Sequence, residues 1–287
     1  MEYLRCYAQV SLPAIGHNID EVRKRLAPGV KLLAVIKADA YGHRACRVGK
    51  YLEPRVNYFA VATLEEAVEL REGGITRPIL ILSYVSPSQY PELVRYEITQ
   101  TIDSLDQAEA LEQAAAQAGK RAKIHIGVDT GMTRIGFQVR EDEADRIAQI
   151  AGFPHLEMEG IFTHFSCADQ EDKSYCQMQL DKFERMYRYL EERKVNIPIR
   201  HICNSAGIME FDRYRFDMVR SGIITYGMYP SEEVMKERLD LIPAMEWKAH
   251  VIHVKDVEAG VSVGYGATFT TSRPVTRIAT VSVGYAD

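Results

Sequence analysis

Long basic runs are missing from this sequence, and so are CxxC pairs and apolar stretches of membrane-spanning length. The first absence, together with a net charge of −5, removes the electrostatic footprint of a nucleic-acid binder. The last excludes a hydrophobic helical span, and the opening Met-Glu-Tyr-Leu-Arg lacks the layout of a signal peptide, so the chain reads as cytoplasmic, with no membrane partner. Cysteine is scarce as well: Cys6, Cys46, Cys167, Cys176 and Cys203 are odd in number and scattered, which suits reduced thiols. His164, Cys167 and Cys176 could be drawn together as metal ligands, but no CxxC pair supports them and no metal is expected.

What is present is an ordinary globular composition, 46% hydrophobic and 26% charged over 287 residues, enough for one large α/β domain and part of a second. Cys6 to Leu12 alternates like a strand, and Pro13 suits the first turn of a helix through Leu26. Eight apolar runs follow with helical patterns between them: Leu32 to Ile36, Tyr58 to Val61, Ile79 to Leu82, Ile98 to Ile102, Ala122 to Val128, Met158 to His164, Ile199 to Cys203 and Phe216 to Val219. Thr63 with Glu66, and Ser104 with Gln107, are placed as capping boxes. Eight strands joined by right-handed crossovers predict a (β/α)8 TIM-like barrel, with a doubly wound open sheet as the rival on pattern alone.

From about Ile242 the rhythm changes, and Trp247 to Val257, Val261 to Gly266 and Arg277 to Val283 have strand character without long helices between them. The expected division is a barrel over residues 12–240 and a partial β-rich domain over 241–287, joined by the strand within 1–11. The chain stops at Asp287 just as a strand finishes, with no return strand to pair it, so this second domain is expected to be incomplete.

The buried run Leu32 to Ile36 ends at Lys37, which puts an amine at the mouth of the sheet, where α/β folds hold ligands. Such an amine can form a Schiff base with a carbonyl compound; it can equally snorkel to solvent. Arg134, in Asp129-Thr130-Gly131-Met132-Thr133-Arg134-Ile135-Gly136, follows the fifth strand and could hold a carboxylate or phenolate, or be solvated. His164 ends the sixth between aromatics, as a catalyst or as a satisfied core residue. Cys203-Asn204-Ser205-Ala206-Gly207 and Arg220-Ser221-Gly222-Ile223 follow the last two strands, and small residues there leave backbone N–H groups free to cradle a phosphate.

The stretch Ala34-Val35-Ile36-Lys37-Ala38-Asp39-Ala40-Tyr41-Gly42-His43 resembles the pyridoxal-phosphate lysine motif of bacterial alanine racemases. The loops around Arg134, His164, Ser205 and Arg220, and Val263-Gly264-Tyr265-Gly266-Ala267-Thr268-Phe269, resemble the family's other motifs. The resemblance implies that Lys37 carries pyridoxal 5′-phosphate and that Tyr41, Ser205, Gly222 and Ile223 bind its phosphate, with Asn204 in the same loop. It also implies that His164 lies against the ring and that Arg220 donates to the pyridine nitrogen, discouraging transamination. Tyr265 is then expected to enter the active site of a partner subunit, making the enzyme a homodimer that acts on a small amino acid.

Racemisation calls for an acid–base group on each face of the substrate, and Lys37 and Tyr265 are the two expected here, with Arg134 at the substrate. A phenol with a free pKa of about 10 needs cationic neighbours, for which Arg134 and His164 are candidates. The expected function is interconversion of L- and D-alanine, supplying D-alanine to cell-wall peptidoglycan. A serine or broad-specificity racemase, a decarboxylase of the same barrel type and a non-catalytic carrier of the cofactor are the alternatives, the last needing neither Tyr265 nor a second domain. Two positions depart from the family pattern. Arg44 stands where glycine is usual, within what reads as a first helical turn, and Gly127 stands where many members have a carbamylated lysine that braces the arginine.

Overall fold

The computed structural model describes residues 5–285 and divides into two compact units, one of them Leu12–Ala244, the other formed by the segment ending at Ser11 and the segment from Met245 onward. The strands in chain order are β1 (Cys6–Val10), β2 (Lys31–Val35), β3 (Tyr58–Val61), β4 (Ile79–Ile81), β5 (Thr99–Ile102), β6 (Ala122–Asp129), β7 (Phe137–Gln138) and β8 (Leu156–Phe162). They continue with β9 (Ile199–His201), β10 (Met218–Ser221), β11 (Met245–Ala249), β12 (Val251–Glu258), β13 (Ser262–Val263), β14 (Phe269–Thr270) and β15 (Val275–Val281).

In Leu12–Ala244, eight parallel strands run in the order β10-β2-β3-β4-β5-β6-β8-β9. Two backbone bonds, Asp217 N–H to the Arg200 carbonyl at 3.1 Å and Arg220 N–H to the Cys203 carbonyl at 3.0 Å, join the last to the first. This is the expected barrel and not the open sheet. Each run anticipated as a strand contributes one, because these four- to seven-residue stretches are largely buried on both faces, as parallel strands are. Leu33, Val35, Tyr58, Ala60, Leu80, Ile199 and Met218 pack together from β2, β3, β4, β9 and β10. Between strands lie amphipathic helices; Leu12–Lys24, for example, buries Ile15, Ile19 and Val22 at helical spacing.

Local chemistry moves some boundaries. The first helix ends at Lys24 and not at Leu26. The last barrel strand starts at Met218, because Phe216 has φ 44°, which extended backbone does not tolerate. Thr63 and Ser104 cap their helices, accepting from the N–H groups of Glu66 and Gln107 at 3.3 Å. The reciprocal half of each box goes one residue further back, to the N–H groups of Ala62 and Asp103.

The second unit is built from antiparallel pairs: β1 with β11, β12 with β15, and β13 with β14. The strand expected to lack a partner, Arg277 to Val283, is β15 and is paired with the earlier β12 from Val251↔Val281 to Glu258↔Val275. Its Arg277 also forms a two-bond ion pair with Asp256 opposite, at 2.9 and 3.0 Å. Residues 1–4 of the expected joining strand and the ending at Asp287 lie outside the described residues.

Candidate active site at the barrel mouth

The turns that follow the barrel strands enclose a cavity of about 530 Å3. Lys37 and Tyr41 reach it after β2, Arg134 after β6, His164 after β8, and Asn204 with Ser205 after β9. Arg220, Gly222 and Ile223 complete it from β10 and the turn beyond. Nine of the ten residues singled out in the sequence thus share one cavity.

Lys37 enters on an uncommon backbone. Ala38, Asp39, Ala40 and Tyr41 have φ of 51, 50, 54 and 54°, a left-handed helical turn made without glycine. Each such residue costs about 1–2 kcal/mol, so the surroundings must hold the turn. The Ala38 N–H donates to Glu66 Oε1 at 2.6 Å, and Asp39 Oδ1 accepts from the Ala45 N–H at 2.7 Å. Tyr226 packs its ring 5.0 Å from that of Tyr41 and 4.5 Å from that of His43, and donates its hydroxyl to the Val35 carbonyl at 2.9 Å. The turn points Lys37 and Tyr41 into the same cavity. Arg44 is not in the first helical turn, as the sequence suggests, but one residue before the helix Ala45–Leu52, at φ 72° and ψ 88°. Positive φ at that point is the physical reason a glycine fits there better than an arginine.

On the opposite side, Gly222 donates its N–H to Ser205 Oγ at 3.0 Å. A Cβ at Gly222 would come within 3.3 Å of Ser205 Oγ and 3.7 Å of the Tyr41 hydroxyl, so the missing side chain leaves a small polar cradle between the three. Ile223 opens the 3₁₀ turn Ile223–Tyr226, whose leading N–H groups have no partner within the turn. Burial pushes the Tyr41 phenol above its usual range, so it remains a donor. Asn204 supports the cradle by accepting from the Gly207 N–H at 3.0 Å and donating to the Phe165 carbonyl at 3.1 Å.

Arg220 is 2% exposed. Its NH1 donates to His201 Nδ1 at 2.8 Å, and its NH2 donates to the carbonyls of Thr163 at 2.8 Å and Ile202 at 2.9 Å and lies 3.2 Å from His164 Nδ1. None of these bonds uses its Nε. Burial lowers its pKa to about 10, which still leaves it protonated at neutral pH. His164 is driven down to about 3 by burial and by the nearby charges of Arg220, Arg134 and Lys37. It is therefore neutral and cannot be the cationic neighbour a phenolate needs; of the two candidates only Arg134 carries charge.

Arg134 sits on the Asp129–Gly136 loop, which is shaped by Asp129 Oδ1 accepting from the N–H groups of Gly131 and Thr133, both at 2.9 Å. Among the described residues no hydrogen bond or ion pair holds its guanidinium, and Gly127 lines the cavity without a side chain to brace it. Tyr265 is the tenth residue and lies in the other unit, in the turn between β13 and β14, 95% exposed. Gly264 at φ 73° and Gly266 at φ 70° flank it, so the glycines are there for backbone conformation. Glu66, Tyr226 and His43, which secure the Lys37 turn, were not legible as site residues. Their sequence signals are the place of Glu66 in a capping box and of His43 at the end of the Lys37 motif; Tyr226 has none.

Among the described residues no cluster of three or more His, Cys, Asp or Glu side chains could hold a metal ion, and no helix is long and apolar enough to cross a membrane.

Residues 10–230 match the family model "Alanine racemase, N-terminal domain", and residues 244–287 match "Alanine racemase, C-terminal domain". Alanine racemase 1 of Caldanaerobacter subterraneus subsp. tengcongensis is 44% identical over 97% of this chain and 72% of its own length. The alanine racemase of Methanococcus maripaludis is 45% identical over 98% of this chain and 75% of its own. Among solved structures, alanine racemase from Clostridium difficile 630 superposes with a TM-score of 0.94 at 41% identity, covering 100% of this chain and 75% of that one. The Bacillus anthracis alanine racemase with bound L-Ala-P gives 0.89 at 33% identity, covering 100% and 74%. With both family models matched in order and identity above 40% along almost its whole length, the chain belongs to the alanine racemase family.

Proposed function

We propose that this chain interconverts L- and D-alanine, using pyridoxal 5′-phosphate held in the barrel-mouth cavity. The observation that carries the reading is the convergence of Lys37, Tyr41, Arg134, His164, Ser205 and Arg220 on that one cavity. The residues fit the group: an amine, a polar cradle that a Cβ would fill, and a buried cation whose Nε is not otherwise engaged. What the bound cofactor supplies is an electron sink that makes the α proton of an attached amino acid removable.

The rest falls to the protein. Ser205, Gly222, Ile223 and Tyr41 would hold the phosphate by neutral donors, and Asn204 keeps the loop in shape. Arg220, always protonated and donor-only, would meet the ring nitrogen and oppose a second positive charge there, which would favour racemisation over transamination. Neutral His164 would lie beside the ring without adding charge. Lys37 is the amine for the cofactor's aldehyde carbon and the acid–base group on one face of the substrate; Tyr265, contributed by a second copy of the chain, is the group on the other. Arg134 is the cation left to lower the phenol's pKa and to meet the substrate carboxylate.

The finer picture is a cytoplasmic homodimer that supplies D-alanine for cell-wall peptidoglycan. Five free cysteines, two of them buried, suit a reducing compartment. Incubation with cofactor and either L-alanine or L-serine in heavy water, following α-deuterium uptake and chirality together, tests the reading. Deuterated D-alanine is the expected product. Uptake without inversion, or preference for serine, would overturn it.

A further inference from the structure

Behind Arg220, away from the cavity, a line of polar side chains runs through the barrel interior. His201 Nδ1 lies 2.8 Å from Arg220 NH1, and His201 Nε2 lies 2.9 Å from His125 Nδ1. His125 Nε2 in turn lies 3.7 Å from Glu159 Oε2, longer than a hydrogen bond, and this buried nitrogen has no hydrogen-bond partner, so the carboxylate is the acceptor nearest to hand. Glu159 also accepts from the Tyr58 hydroxyl and, at 3.2 Å, from Lys123 Nζ. Both imidazoles are fully buried. None of His201, His125 and Glu159 lines the cavity.

The line is built in. A Cβ at Gly160 would sit 2.4 Å from His125 Nδ1, and the β6–β8 register shifts between Ile124 and His125, so both strands give way to this ring. Phe162 stacks on His201 at 4.9 Å and lies under the Arg220 guanidinium at 5.4 Å, which fixes their mutual orientation.

The chemistry allows one direction. A guanidinium cannot accept, so His201 Nδ1 must offer a lone pair, and its proton sits on Nε2. His125 Nδ1 must then accept, which places the His125 proton on Nε2, facing Glu159. Burial keeps both imidazoles neutral. Burial favours the protonated form of Glu159 too, yet the contacts from His125 and Tyr58 outweigh it and hold its pKa at about 2. Every N–H in the line therefore points toward one carboxylate.

We propose that Glu159 is a positioning residue for Arg220: its carboxylate fixes the tautomers of His125 and His201, so that His201 presents a lone pair and holds the guanidinium in place. This rests on the placement of Arg220 against the cofactor ring. Without an acceptor at position 159, only the Arg220 end still holds the tautomers, and the buried His125 Nε2–H is left facing no acceptor, which favours moving that proton to Nδ1. His201 must then accept at Nε2 and turn an N–H toward Arg220, donor against donor, and Arg220 loses the bond that holds its NH1.

The test compares Glu159→Leu, which removes the acceptor, with Glu159→Gln, which keeps one, and with Tyr58→Phe, which removes a neighbouring bond but leaves the carboxylate facing His125. Nitrogen-15 NMR of the histidines in cofactor-free protein reads the tautomers, and nitrogen-15 labelled pyridoxal phosphate in the holoenzyme reads the ring nitrogen. Glu159→Leu should convert the two imidazoles from pure Nε2–H to mixed tautomers, move the ring-nitrogen resonance and lower kcat with KM unchanged. Glu159→Gln and Tyr58→Phe should keep the wild-type tautomers and ring-nitrogen shift. Wild-type tautomers in Glu159→Leu would overturn the proposal, as would altered tautomers with an unmoved ring nitrogen when Arg220→Lys does move it. If Arg220→Lys leaves the ring nitrogen unmoved as well, the placement of Arg220 against the ring falls, and the relay is judged on the tautomers alone. A Glu159→Leu chain too unstable to study is replaced by His125→Phe, which cuts the line one step nearer Arg220 and should move the same ring-nitrogen signal.

Discussion

Lys37 and Tyr265 are assigned the same kind of task, moving a proton, and the chain supports them very differently. Lys37 begins a left-handed turn that costs several kcal/mol and is secured by Glu66, Asp39, His43 and Tyr226 from within its own unit. Tyr265 tops a hairpin of two-residue strands, between two glycines, with its ring in the open. Strain is tolerated where the neighbours over-determine the geometry, so the Lys37 turn is held entirely by residues of Leu12–Ala244. Its hydroxyl has no hydrogen-bond partner among the described residues, so Tyr265 depends on a surface it does not itself carry. That difference is the physical case for a site shared between copies.

The largest effect should come from Lys37→Ala, which is expected to lower racemisation by more than about a thousandfold. It should also abolish borohydride fixation of the cofactor at that position; continued labelling of one defined lysine would sink the assignment. Tyr265→Phe should cost roughly 10²- to 10⁴-fold in both directions while cofactor binding, read from visible absorption, is retained. Half-reaction exchange in heavy water should then fail mainly for L-alanine. Equal loss from both enantiomers would make Tyr265 a substrate-positioning group.

Glu66→Ala tests whether the turn needs its brace: two backbone N–H groups lose their acceptor, and kcat should fall about 10- to 100-fold from misplacement of Lys37. The melting temperature should fall with it, and the same change in kcat without one would mean that Glu66 acts on the chemistry. A smaller effect is expected from pH. Burial lowers the pKa of His125, His164 and His201, so the unfolded chain binds protons that the folded one refuses. Stability is therefore full above pH about 6.5 and lost as pH falls toward 3, by up to about 1.4 kcal/mol per histidine per pH unit. Thermal melts at about pH 7.5 and about pH 5.5 check the sign. Smallest, Arg44→Gly should relieve a positive φ and raise the melting temperature by about 2 °C at unchanged kcat. A drop would mean that the 3.7 Å contact of Arg44 with Asp39 matters more than its backbone.

The barrel was legible because parallel strands buried on both faces leave unbroken apolar runs, and the runs at 58–61 and 79–82 carry no other information. The cavity residues were legible because each stands just past such a run. The left-handed turn was not: Ala-Asp-Ala-Tyr has no glycine, and its conformation is imposed by Glu66 and Tyr226, 25 and more residues away. The pairing of β15 with β12 is not legible for a related reason, since strand character says nothing about which earlier strand a segment will find. His125 and His201 each interrupt a buried strand with a polar side chain, and Glu159 stands at the half-buried start of the strand between them. A polar residue inside such a run needs a partner, and three of them on strands adjacent in the barrel are a signal of an internal network.

Mixing the inactive Lys37→Ala and Tyr265→Phe proteins, with reassortment of subunits, tests the shared site most directly. Each hybrid dimer contains one site with an intact Lys37 from one copy and an intact Tyr265 from the other. D-alanine formation should therefore recover to about a quarter of the wild-type rate after random exchange. Activity that stays at the average of the two variants, in a mixture shown to contain hybrid dimers, would contradict it and place both groups in a single copy of the chain.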